Sequence, residues 1–232
     1  MAVFLLAASA ALAGQAALVE QGFDHFYNLE YEQAIACFER ALAANPGDPD
    51  LHNHLAEAIV FLEMYRNGAL ESELVSGANS FLRRPKLNPS PATEQRFLDE
   101  VGEALELANG RLRSNPKDAA ALYSSGVSYG LRSDYFWVVK KAWRDSLRDA
   151  TAARRAHHRV MELEPTNVDA RLVPGLHDYI LGSLPWGFRM LGFLVGLHGD
   201  RQRGIRTVQD VAANGRLNRV DAQIFLCALY RR

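Results

Sequence analysis

Between Gln15 and Pro46 the chain reads QAALVEQGFDHFYNLEYEQAIACFERALAANP, an order of small, aromatic, small and proline positions that specifies two antiparallel helices in close contact. Gly22 in the first helix and Ala34 in the second are small enough to let the two axes approach. Tyr31 opens the second helix, Phe38 fills the gap towards a following hairpin, and Ala41 and Pro46 complete the unit. An ordinary amphipathic hairpin needs apolar spacing but not this order. One such hairpin cannot bury both of its faces, so the pattern demands neighbours that stack on it.

These residues, at this spacing, resemble the tetratricopeptide repeat, a unit of about 34 residues built of two antiparallel helices and ending near a proline. The chain is similar to uncharacterised bacterial tetratricopeptide proteins. That resemblance implies an all-α fold, a right-handed α-solenoid of helical hairpins with insertions. It also implies a non-catalytic scaffold for protein–protein interaction, without cofactor or metal.

The remaining sequence divides on the same terms. After an apolar segment at residues 1–13, a solenoid over 15–232 is expected, in units of about 15–48, 49–118, 119–167 and 168–214 with a partial unit at 218–232. In the second unit Asp50 to Arg66 is the first helix, Asn67 to Thr93 is a proline- and glycine-bearing loop, and Glu94 to Ser114 is the second helix. In the third, Ala119 to Leu131 carries Gly126 in register, and Ser146 to Glu164 is its partner. Between them stands an aromatic insertion, Arg132 to Asp145, whose Tyr135, Phe136, Trp137 and Trp143 either anchor a partner or cover the solenoid's own core. The fourth unit opens with Asn167 to Leu181, with Gly175 in register, and Asp200 to Asn214 is its second helix. The stretch between, Gly182 to Gly199, is a buried connector or, with Trp186 and Phe188 at the headgroups, a membrane-surface segment. Val220 to Arg232 reads as a first helix without its partner, which would expose an apolar face and open a route to a homo-oligomer.

Composition narrows the function. A 232-residue chain with 48% hydrophobic residues is not disordered, and a formal net charge of -1 leaves no footprint for nucleic acid. Arg154, Arg155 and Arg159, and the stretch Arg201 to Arg206, read as solvated faces. Ala2 to Ala13 ends in the A-x-A order of a secretory cleavage site but lacks a basic leading segment. It is read either as an export signal, which would place the protein in a periplasm or cell envelope, or as an apolar first helix of a cytoplasmic protein. Cys37 and Cys227 sit in apolar helical patterns and read as buried thiols.

No catalytic or metal-binding spacing is present. His52 and His54 are two residues apart and His157 and His158 adjacent, so neither pair shares a helix face as i, i+4 ligands do. His177 and Asp178 have the types of a base and its orienter but no nucleophile motif accompanies them, which leaves an enzyme only as a site assembled by the fold. In the family the groove is lined by the first helix of each repeat. The resemblance therefore selects Val19, Phe23, Phe26 and Tyr27, then Asn53, Glu57 and Phe61, then Tyr123 and Val127, and finally Leu172, Leu176 and Tyr179 as peptide-binding positions. Family members that clamp a C-terminal carboxylate use lysine, asparagine and arginine, where this chain has Val19, Phe23, His54, Ala120 and Ser124. An apolar helix or peptide is the expected ligand, its source a protein partner of unknown identity or this chain itself.

Overall fold

In the computed structural model, residues 2–68, 70, 87–187, 189–190 and 198–230 are described, residues 2–12 by their backbone alone. Their regular structure is helical throughout. Helices α1 (Ala2–Tyr27) and α2 (Tyr31–Ala44) form the first hairpin, α3 (Pro49–Arg66) and α4 (Pro91–Ser114) the second, α5 (Ala119–Tyr135) and α6 (Trp143–Leu163) the third, and α7 (Leu172–Ser183) and α8 (Arg201–Asn214) the fourth. A last helix, α9 (Arg219–Tyr230), packs on α8, while α2 on α3, α4 on α5 and α6 on α7 join successive hairpins into a stack.

The same turn recurs at three junctions. In Asn45-Pro46-Gly47-Asp48, Asn115-Pro116-Lys117-Asp118 and Glu164-Pro165-Thr166-Asn167, the fourth residue's N–H donates to the first residue's carbonyl at 3.3, 3.0 and 2.9 Å. Proline at the second turn position presets its φ. The fourth residue then caps the next helical segment, Asp48 accepting from the N–H of Asp50, Asp118 from that of Ala121 and Asn167 from that of Ala170. Repetition in the sequence is thus repetition of a physical device.

The glycines placed in register are close-approach positions. A Cβ on Gly22 would enter the Phe38 ring, one on Gly126 would lie 2.8 Å from the His157 ring, and one on Gly175 would lie 2.8 Å from Thr207. Each couples the first helix of a hairpin to its second. The main core runs through the first three hairpins, from Phe26, Tyr31 and Phe38 through Leu55, Ile59 and Phe97 to Leu131, Tyr135 and Val139. A smaller cluster of Leu172, Val208, Val211 and Ala222 holds the fourth hairpin and α9.

Several boundaries differ from the sequence reading. Helix α4 begins at Pro91 rather than Glu94, because the Ser90 hydroxyl accepts from Thr93 N–H and proline occupies the first turn. The aromatic insertion is not a free loop. Helix α5 continues to Tyr135 and through a π-turn at Phe136–Lys140, Lys141 turns the chain at φ 54°, and α6 starts at Trp143. Tyr135 and Val139 enter the core, Tyr135 stacking on Phe97, whereas Trp137 and Trp143 stand exposed, edge to face at 4.1 Å. Cys37 is buried but Cys227 is exposed, and both are free thiols. The described part of the Gly182 to Gly199 stretch is not a buried connector, since Trp186 is 77% exposed and Leu184 and Met190 are also open. Phe188 and Leu191 to Leu197, most of Asn67 to Thr93, and Arg231 and Arg232 lie outside the described residues.

Candidate functional site

The twelve selected positions divide by burial. Val19, Phe23, Tyr27, Glu57, Phe61, Tyr123, Val127 and Leu176 are half-buried, while Phe26, Asn53, Leu172 and Tyr179 are buried. Asn53 is 1% exposed and its amide is spent inside the chain, donating to the Ser124 carbonyl at 3.0 Å and accepting from the Ser128 hydroxyl at 2.7 Å. It joins α3 to α5 and is not available to a ligand. Phe26 and Leu172 belong to the two cores, and Tyr179 lies under the Arg201 guanidinium.

Three of the half-buried positions, Phe23, Tyr27 and Phe61, form an aromatic wall with Phe26. Phe23 stacks on Tyr27 and meets Phe26, Phe38 and His54 edge-on, and Phe61 lies 5.0 Å from Phe26. Burial holds His54 neutral by lowering its pKa to about 4.

The chain's own last helix meets this wall at Tyr27. The Tyr27 hydroxyl donates to Asp221 Oδ1 at 3.1 Å across 194 residues of sequence, and Asn218 Nδ2 donates to the Tyr123 hydroxyl at 2.9 Å. Asn218 and Asp221 sit at the start of α9, so the first turn of that helix is tied to α1 and α5. Asp134 and Asp221 each lie within electrostatic reach of Glu57 there.

These carboxyls are held out of water unequally. Burial, followed by the charges of Asp221 and Asp134, raises the Glu57 pKa, and burial also raises that of Asp221. Water reaches Asp134, yet the surrounding protein pushes its carboxyl up to about 6. The stability contributed by these raised acids is fully present below the ordinary carboxylate range and is lost as pH rises through the raised values. His54, His157 and His177, each lowered to about 4 by the protein around them, act in the opposite direction: their contribution is present above 6.5 and is lost as pH falls towards 4.

Sequence reasoning missed Asp134, Asn218 and Asp221. Asp134 continues the Tyr123, Val127 stripe at helical spacing, but only in a helix that runs past Leu131. Asn218 and Asp221 belong to a helix read as partnerless. Among the described residues no group of three or more His, Cys, Asp or Glu side chains is arranged to hold a metal ion.

No family model matches the chain, and no curated protein matches it. Among solved structures it is similar to a thermophilic TPR protein of Thermus thermophilus, at 15% sequence identity over 93% of this chain and 81% of that one, with a TM-score of 0.44. A likeness of that size fixes neither family nor partner.

Proposed function

We propose that this chain is a non-catalytic interaction scaffold whose concave face receives an apolar helix or peptide that also presents a cationic side chain. The observation behind this reading is Glu57. Among the described residues no hydrogen bond or ion pair reaches its carboxylate, although burial disfavours its charge. An uncompensated carboxylate costs stability, and such costs concentrate at functional sites. The aromatic wall of Phe23, Tyr27 and Phe61 supplies the apolar half of the recognition, and Glu57 with Asp134 supplies the charged half.

Glu57→Gln tests this with two readouts of opposite sign. Its stability relative to the parent chain should rise as pH increases from about 5 to 8, by on the order of 1 kcal/mol in urea titrations. A photo-crosslinking residue at Val127, used in the native host, should capture a partner protein that the Glu57→Gln variant loses by about tenfold. Adducts to residues 218–230 of the same chain alone would overturn the reading.

A second reading rests on the exposed side chains at the end of α7, where Ile180, Leu184, Trp186 and Met190 are 58%, 37%, 77% and 48% exposed. Such a patch suits the headgroup layer of a membrane, although no described helix is long and apolar enough to cross one. In salt-resistant co-sedimentation with liposomes, Trp186→Ala should lose most of the bound fraction. Absence of binding by the parent chain would dismiss this reading.

A further inference from the structure

Away from the concave face, α6 and α7 bring together three nitrogen-bearing side chains that lack acceptors. Arg154 and His158 are one turn apart on α6, and His177 projects from α7 into the same electrostatic neighbourhood. Arg154 Nε is buried without a hydrogen-bond partner, and so is His177 Nδ1. Neither Arg154 nor His158 has an ion pair or hydrogen bond among the described residues, and all three side chains remain partly open to solvent.

The surrounding charges are already committed. Asp178 on α7 is held by Arg203 of α8 through Nε at 2.6 Å and Nη2 at 2.9 Å. Glu162, one turn beyond His158, is held by Arg159 at 2.5 Å. His157, adjacent in sequence, faces the core against Gly126 and Tyr123. Arg154 is therefore the uncompensated charge of the cluster, with two imidazoles beside it. A guanidinium Nε left buried without an acceptor is a costly arrangement that a bound anion relieves.

We propose that Arg154, His158 and His177 form a binding site for a small oxyanion, a phosphate or carboxylate group. The anion accepts from Arg154 Nε and from the imidazole N–H groups, and its charge pairs with the guanidinium. A bound negative charge also favours the imidazolium form, so occupancy should raise the titration midpoints of His158 and His177, which burial and then the Arg154 charge hold low.

The test is a histidine-resolved NMR titration of the whole chain at fixed pH, with inorganic phosphate, acetate and chloride at matched ionic strength. Saturable shifts of His158 and His177, with His25 and His52 unchanged, are expected with phosphate or with acetate, and whichever saturates identifies the group. Arg154→Gln should weaken binding by about tenfold or more. His177→Gln, which keeps the guanidinium, should weaken it less. Shifts that are equal in chloride, that do not saturate, or that persist in a folded Arg154→Gln variant would overturn the site.

Discussion

Asp169→Ala should destabilise the protein by about 3 kcal/mol and release α9 from α1 and α5. The first three hairpins end in a proline turn, but the fourth ends in Asn214-Gly215-Arg216-Leu217-Asn218, which has no proline. Asp169, 8% exposed, replaces the missing device. Its carboxylate accepts from the N–H groups of Arg216, Leu217 and Asn218 at 2.9 to 3.2 Å, while its carbonyl accepts from Asn218 Nδ2. The same Asn218 amide donates to Tyr123, and Asp221 one turn on accepts from Tyr27. Removing the carboxylate strips acceptors from three backbone donors at once and loosens the ties to Tyr27 and Tyr123. Arg216 and Leu217 are exposed, so water recovers part of the loss, which keeps the expected figure near the single-site value for charged hydrogen bonds. Asp169→Asn retains one acceptor oxygen and should cost roughly half as much. Urea unfolding gives the energy, and hydrogen exchange along 219–230 gives the release. A loss below about 1 kcal/mol with unchanged protection of α9 would show that the small cluster around Leu172 and Val211 holds this helix without Asp169.

Residues whose physical role is local were legible in the sequence. Pro46, Pro116 and Pro165 mark turns because proline fixes φ wherever it stands, and Gly22, Gly126 and Gly175 mark close approach because no other residue lacks a Cβ. The aromatic order from Phe23 to Phe38 likewise specified a hairpin core that the structure contains. What escaped depends on partners distant in sequence. Arg132 to Asp145 reads as an aromatic insertion, and its core-covering alternative holds for Tyr135, but its helical extent depends on Val139 packing into the main core and on Arg132 pairing in two-pronged fashion with the buried Asp149, contacts that extend both flanking helices. Asn53 occupies a groove position in the repeat pattern, yet a serine-rich face on α5 takes up its amide. The carboxylate arrangement at Glu57, Asp134 and Asp221 depends on three helices and on where α9 comes to rest. No window of the sequence contains that information.

The α7–α8 hairpin makes the sharpest test of the small-residue logic, and Gly204→Ala should cost about 3 kcal/mol or more. A Cβ at Gly204 would lie 2.5 Å from the Tyr179 amide nitrogen, 2.7 Å from the Gly175 carbonyl oxygen and 2.8 Å from Tyr179 Cα. Every one of these atoms is backbone, so no rotamer change relieves the overlap, and α7 and α8 must separate along their contact. That separation would open the packing of Val208 and Val211 on Leu172 and carry α9 with it. Gly126 is a milder case, because its obstacle is the His157 ring, a side chain that can shift. Gly102, on the exposed face of α4, has open space within 4 Å of where a Cβ would lie, so Gly102→Ala should stabilise by about 0.5–1 kcal/mol through helix propensity alone. Urea midpoints of the three alanine variants should therefore run in the order Gly102 above the parent chain, Gly126 below it, and Gly204 lowest. If Gly204→Ala unfolded with Gly102→Ala, the two helices would have room to spare, and the fourth hairpin would be packed more loosely than its glycines require.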